Sequence, residues 1–257
     1  MTTKASTKSL WDEAANLITA TEKHPFLVSM VDGTLNLDSF RYYVIQDALF
    51  LTDFAQCLEI LANKMEQHVR WKNYAAISID NINRIRELAV GIEEAEKELH
   101  RSFFTQWNIN VSNNVKSAPN TLLYTSYMLR VVSTRPYTEG LAVLLPCFWV
   151  YMHVGKCMLQ LREEIDNNNK SNNTKQQKRP AQFDAWIDMY AGDEFEKEVT
   201  DYIAIVDTAI QHNVNNNINK DDGMEVLMKM KEHFVMCCKL EYMFWDQAQV
   251  LMDWPDF

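Results

Sequence analysis

Cys147 and Tyr151 stand four residues apart in the apolar run Leu144-Leu145-Pro146-Cys147-Phe148-Trp149-Val150-Tyr151. On a helix the two side chains share a face. A thiol in such a setting is either an inert small hydrophobe or a nucleophile lining a pocket. Two carboxylates bear on that choice. Asp47 falls on one helical face with Phe50 and Phe54, and Glu241 stands one turn before Phe244 and Trp245. An ionised carboxylate among aromatic rings is costly, so such an acid is held by hydrogen bonds, kept neutral, or used. A thiol and two such acids, on separate helices, could supply a nucleophile, a proton carrier and a recognition group. The other cysteines, Cys57, Cys157 and the Cys237-Cys238 pair, read as packing residues.

The same residue types could instead hold a metal, and spacing tests this. None of the six histidines has an Asp or Glu three residues before it, and no two histidines lie four apart. Both the Glu-x-x-His pairs of di-iron bundles and the zincin helix are therefore missing. A haem needs only one axial histidine, for which His24, His153 and His233 are the candidates, each better read as a capping or surface residue. No metal and no cofactor is expected. The chain also has no G-x-G-x-x-G, no Walker loop and no G-x-S-x-G, so nucleotide handling and serine hydrolysis lose their usual support.

These residues must be positioned by helices. Six glycines and six prolines in 257 residues leave few breaks, and the periodicity predicts eight or more helices around one core. They fall at about Lys8–Thr21, a short turn after His24-Pro25-Phe26, a helix capped by Asp38 or Ser39, then Val69–Phe104, Thr121–Val132, Thr138–Ile165, Ala185–Met189, Phe195–Ile210 and Gly223–Met252. Residues 113–119 read as a loop. Two polar, Asn-rich tracts, 166–178 and 213–222, have nothing to bury and read as low-complexity insertions into a single all-α domain spanning 1–257.

Composition narrows the partners. A formal charge of −10, from 35 acids against 25 bases, disfavours nucleic acid and suits a small neutral or cationic ligand. Five cysteines without a CxxC pair fit a reducing compartment. The N-terminus lacks the apolar block of a secretory signal, and the longest apolar run, 141–152, is shorter than the ~20 residues that cross a bilayer. A cytoplasmic protein with no membrane partner is the expectation.

Four ordered segments give a more specific reading: Phe40-Arg41-Tyr42-Tyr43-Val44-Ile45-Gln46-Asp47, the Cys147 run, Trp186-Ile187-Asp188-Met189-Tyr190, and Glu241-Tyr242-Met243-Phe244-Trp245-Asp246. With His24-Pro25-Phe26, this set resembles the TenA/thiaminase II family, in its cysteine-containing branch, over nearly the whole chain outside the Asn-rich tracts. The resemblance implies a haem-oxygenase-like helical bundle without haem, commonly a homotetramer. It implies a hydrolase of thiamin salvage that converts 4-amino-5-aminomethyl-2-methylpyrimidine to hydroxymethylpyrimidine and ammonia, or cleaves thiamin. Carried over by position, Cys147 matches the nucleophile, Glu241 the acid/base, and Asp47 the carboxylate that binds the aminopyrimidine edge. Tyr151 and Tyr190 match pocket tyrosines and Phe244 an aromatic wall, while Tyr124, with Tyr127 as fallback, matches the tyrosine that orients the glutamate. Many relatives have tyrosine where this chain has Phe50, which bears on substrate preference. Two other readings use the same fold: a non-catalytic pyrimidine or thiamin binder with a regulatory role, and an oxidase-type relative.

Overall fold

Few breakers and abundant helix formers give a chain whose described elements are all helical. The computed structural model describes residues 4–72, 77–107, 115–172, 178–216 and 219–256. In chain order they form α1 (Thr7–Glu22), α2 (Pro25–Asp32), α3 (Leu37–Lys72), α4 (Ile79–Gln106), α5 (Pro119–Thr134), α6 (Tyr137–Asn172), α7 (Ala181–Ala191), α8 (Asp193–Ile210) and α9 (Lys220–Val250). A π-helical turn, Gln211–Asn215, extends α8. The fold is all-α and haem-oxygenase-like, as the sequence leads one to expect.

Local chemistry sets the helix ends. His24 caps α2 by accepting the Phe26 N–H on Nδ1 at 3.1 Å, and Pro25 opens the helix where its missing N–H costs nothing. Gly33, at φ +83°, closes α2 in the left-handed conformation that only glycine adopts without strain. The cap of α3 is neither Asp38 nor Ser39 but Asn36, whose Oδ1 accepts the Asp38 N–H at 2.9 Å. The helix expected from Val69 onward is also divided differently. α3 runs through to Lys72, and Ser78 caps α4 by accepting the Asn81 N–H at 3.0 Å.

The Asn-rich tracts are not plain loops. α6 continues to Asn172, seven residues into the first tract, because the buried part of the helix supplies the nucleus that polar residues then only extend. Asp166 in this extension pairs with Arg179 at 3.1 Å, and Arg179 Nε donates to Val31 O at 2.5 Å, tying the start of α7 to α2. Residues 173–177 lie outside the described residues. In the second tract Asn215 accepts the Ala5 N–H at 3.1 Å and donates to Ala5 O at 2.9 Å, which fastens the N-terminal segment. Residues 217 and 218 likewise lie outside the description.

α6 is the central element, touching α1, α2, α3, α5, α7, α8 and α9. Its apolar window is 72% buried, which marks the core helix of a bundle. One cluster of buried side chains runs through all nine of the described α-helices. At Gly155 the backbone of α7 comes so close that a Cβ would lie 2.6 Å from the Tyr190 carbonyl carbon. The absent side chain sets the α6–α7 spacing and brings Tyr190 inward.

Candidate active site

Three helices contribute the polar centre. Cys147 comes from α6, directly after Pro146, whose ring removes the N–H that would have bonded the Ala142 carbonyl and loosens the helix at that turn. Tyr124 comes from α5 and Glu241 from α9. The Tyr124 hydroxyl donates to Glu241 Oε1 at 2.7 Å and lies 3.2 Å from Cys147 Sγ. With the phenolic proton committed to Glu241, the thiol is the donor toward Tyr124, so the proton chain runs Cys147 to Tyr124 to Glu241. Met128 Sδ lies 3.8 Å from Sγ, and Glu241 is within reach of the thiol as well.

Burial governs how these groups hold their protons. Cys147 is 8% exposed and Glu241 1%. Burial drives the Glu241 carboxyl up to about 8, with the charge of Asp47 adding to the rise and the bonds from Tyr124 and Cys147 opposing it. Burial raises Cys147 and Tyr124 well above their ordinary values too, and each is raised further by the charge of Glu241. At neutral pH the centre is thus a set of neutral donors in series: thiol, phenol and carboxylic acid.

Beside this centre lies a narrow cavity whose wall includes Asp47, Phe50, Cys147, Tyr151 and Tyr190. Asp47, on α3, is 2% exposed. Tyr151 lies one turn beyond Cys147 and packs on Tyr190 with ring centroids 5.0 Å apart. The Tyr151 hydroxyl is raised well above its ordinary value, first by burial and then by Tyr43, Glu241 and Asp47. Phe50 covers Tyr124 at 5.0 Å and meets Phe244 edge-on at 5.6 Å. The structure therefore gathers all eight residues singled out from the sequence: Asp47, Phe50, Cys147, Tyr151 and Tyr190 on the cavity wall, with Tyr124, Glu241 and Phe244 directly behind it.

Other parts of the wall were missed. Leu51, Phe54 and Phe148 complete it from α3 and α6, while Ile92 and Phe195 arrive from α4 and α8. Phe54 shares the Asp47 face already noted in the sequence and Phe148 lies one turn before Tyr151, so the helical spacing could have assigned both to the wall. Ile92 and Phe195 carry no local signal, since only tertiary packing brings them in. Tyr127 is engaged elsewhere, with its hydroxyl 2.8 Å from His233 Nδ1, while His233 Nε2 meets Glu139 at 2.7 Å. His24 is likewise occupied on both nitrogens, by Phe26 N–H and by Asp246 at 3.0 Å, and burial lowers its pKa, which favours the neutral tautomer with the proton on Nε2. A wider groove along α9, lined by Met224, Met228 and Met236, includes none of Cys147, Glu241 or Asp47.

Comparison with known proteins matches the chain to one group. The profile of the TENA/THI-4/PQQC family matches residues 5–250. The aminopyrimidine aminohydrolase of Bacillus subtilis (strain 168) is 33% identical over 235 residues, covering 91% of this chain and 85% of the relative. The enzyme of the same name from Halalkalibacterium halodurans is 25% identical over 242 residues, 93% of each chain. Among solved structures, a TenA homologue from P. horikoshii OT3 superposes with a TM-score of 0.72 at 20% identity, covering 95% of this chain and 98% of its own.

Proposed function

Since the chain belongs to the TENA/THI-4/PQQC family, we propose that it is an aminopyrimidine aminohydrolase of thiamin salvage that works through a cysteine nucleophile. Its substrate is 4-amino-5-aminomethyl-2-methylpyrimidine, hydrolysed to hydroxymethylpyrimidine and ammonia, with thiamin as a second substrate cleaved at the same methylene carbon. The observation that carries this reading is the proton chain from Cys147 through Tyr124 to Glu241, set beside a cavity that Asp47 and aromatic rings enclose.

The chemistry follows from that arrangement. Expelling an amine from the methylene carbon is slow while the pyrimidine stays aromatic. Cys147 Sγ adds to a ring carbon as its proton passes to Tyr124, the phenolic proton passes to Glu241 Oε1, and the carboxylic proton on Oε2 passes to a ring nitrogen. No isolated charge forms in the buried centre during this shift, which suits a site where charge is costly. The electron-rich, dearomatised ring then pushes out the leaving group, which departs as ammonia from its protonated form. Water adds to the exposed methylene carbon and loses a proton to bulk. The C–S bond breaks, aromaticity returns, and the ring nitrogen hands its proton back along the same chain to sulfur. Splitting one high barrier in this way is the benefit of covalent catalysis.

Asp47 supplies recognition. An amino group next to a protonated ring nitrogen offers two donors on one edge, which a carboxylate grips with paired hydrogen bonds. An analogue without the amino group leaves the buried acid unmatched and is rejected accordingly. Tyr151, Tyr190 and Phe50 flank the ring plane. A homotetramer in the cytoplasm completes the proposal.

The assay is direct: purified protein with the aminomethyl pyrimidine, following ammonia and hydroxymethylpyrimidine. Cys147→Ser is expected to bind the pyrimidine without turning it over. Full turnover by that variant rejects the covalent route, and binding without turnover by the unaltered protein supports a non-catalytic binder instead.

A further inference from the structure

The face of α6 turned away from the cavity carries a second group of polar side chains. His153 and Cys157 lie one turn apart on this helix, and Glu22 ends α1 opposite them. His153 Nε2 is 2.7 Å from Glu22 Oε1 and 3.6 Å from Cys157 Sγ. One ligand atom from each of the three residues falls within 4.8 Å of the others. The group uses a His-x-x-x-Cys pair and an acid from a distant helix, so neither Glu-x-x-His nor His-x-x-x-His spacing detects it.

We propose that Glu22, His153 and Cys157 form a binding site for one divalent transition-metal ion of the zinc class. The geometry supports this. A tetrahedral zinc ion with Zn–S of about 2.3 Å and Zn–N of about 2.05 Å holds its sulfur and nitrogen roughly 3.6 Å apart, which is the separation found here. The nitrogen–oxygen pair needs to open from 2.7 Å to about 3.4 Å, a change that carboxylate rotation supplies. The imidazole is already oriented. Trp11 meets its ring edge-on at 5.0 Å and itself packs on Trp149 at 4.4 Å. The cations further along α6 are engaged elsewhere, Lys156 with Glu196 and Arg162 with Asp184 and Asp188.

The donor set decides the class of ion. Thiolate, imidazole and carboxylate together suit zinc or cobalt and disfavour magnesium or calcium, which take oxygen ligands. Cys157 binds as the thiolate, giving its proton to solvent. His153 and Glu22 side chains are 32% and 29% exposed, so solvent reaches the site and water completes the fourth position. The ion joins the end of α1 to the middle of α6 and stabilises that junction.

Cobalt(II) is the probe. Titrated into the chelator-treated chain, one equivalent is expected to produce a thiolate-to-cobalt charge-transfer band and visible d–d bands. Zinc abolishes them and magnesium does not. Cys157→Ser loses the charge-transfer band, His153→Ala loses both features, and Glu22→Gln, which keeps the thiol, weakens binding. Cys147→Ser keeps the full spectrum, separating this site from the catalytic thiol. A spectrum without the thiolate band, one that survives in Cys157→Ser with circular dichroism unchanged, or one that vanishes in Cys147→Ser overturns the proposal.

Discussion

Two thiols ten positions apart on α6 each meet a carboxylate through an intermediary ring. The phenol of Tyr124 bridges Cys147 and Glu241, which also touch directly, and the imidazole of His153 bridges Cys157 and Glu22. The chemical inventory is nearly the same, yet burial separates the outcomes. Inside the core, where charge is costly, burial raises thiol, phenol and acid alike, and all three keep their protons at neutral pH. At the half-exposed junction charges are more tolerable, burial and then Glu22 raise the Cys157 thiol, and similar donors stand as the proposed metal ligands. On the roles proposed above, environment more than residue type separates the nucleophile from the metal ligand.

The largest expected effect breaks the symmetry outright. Cys147→Ser removes turnover altogether in the ammonia assay, whereas Cys157→Ser retains it. Equal losses in both variants would collapse the contrast. Next comes Glu241→Gln, expected to lower kcat/KM by about 10²–10⁴-fold, the usual range for a general acid. Its pH profile sharpens the point. The reactive free enzyme holds Glu241 protonated, so activity is present below about 8 and falls as pH rises through that value. The glutamine variant loses this alkaline limb. Stability follows the same sign. From the ordinary carboxyl value of 4.5 up to about 8 the unfolded chain ionises at Glu241 while the folded one does not. That costs the native state stability as pH rises. Glu241→Gln therefore gains in melting temperature relative to the unaltered chain between pH 5 and 8, measured by thermal denaturation.

Smaller effects probe the connecting ring and the cavity wall. Tyr124→Phe interrupts the proton chain and leaves the buried Glu241 without its phenol donor, a cost of about 1–3 kcal/mol. That corresponds to a loss of roughly ten- to a hundredfold in kcat, with KM nearly unchanged in steady-state kinetics. Phe50→Tyr places a hydroxyl against the cavity and is expected to shift the ratio of aminopyrimidine to thiamin turnover by less than about tenfold. An unaltered ratio would remove Phe50 from specificity.

Much of this arrangement was legible in the sequence, for identifiable reasons. Asp47 and Glu241 were visible because acids on aromatic helical faces break the ordinary pattern, and Cys147 because it stands among Leu, Phe and Trp. Helix order followed from the scarcity of glycine and proline. The α3 cap, expected at Asp38 or Ser39, falls two or three residues earlier because Asn36, Asp38 and Ser39 are all capable acceptors and only the backbone geometry selects among them. The Asn-rich tracts misled because composition reports what a segment can bury by itself. It does not report that a buried helix can carry polar residues outward, as α6 does to Asn172, or that Asn215 fastens Ala5. The cluster at Glu22 escaped because its members belong to helices more than a hundred residues apart.

Gly155 works as a gauge block between two helices. Tyr190 stands on the cavity wall where it does because a hydrogen atom, not a methyl group, occupies the gap facing it at Gly155. Swapping in alanine would wedge α7 outward and move the Tyr190 ring with it, leaving a slot too wide to hold a thin aromatic guest flat. The choice of guest is thereby governed partly by a residue that never touches it.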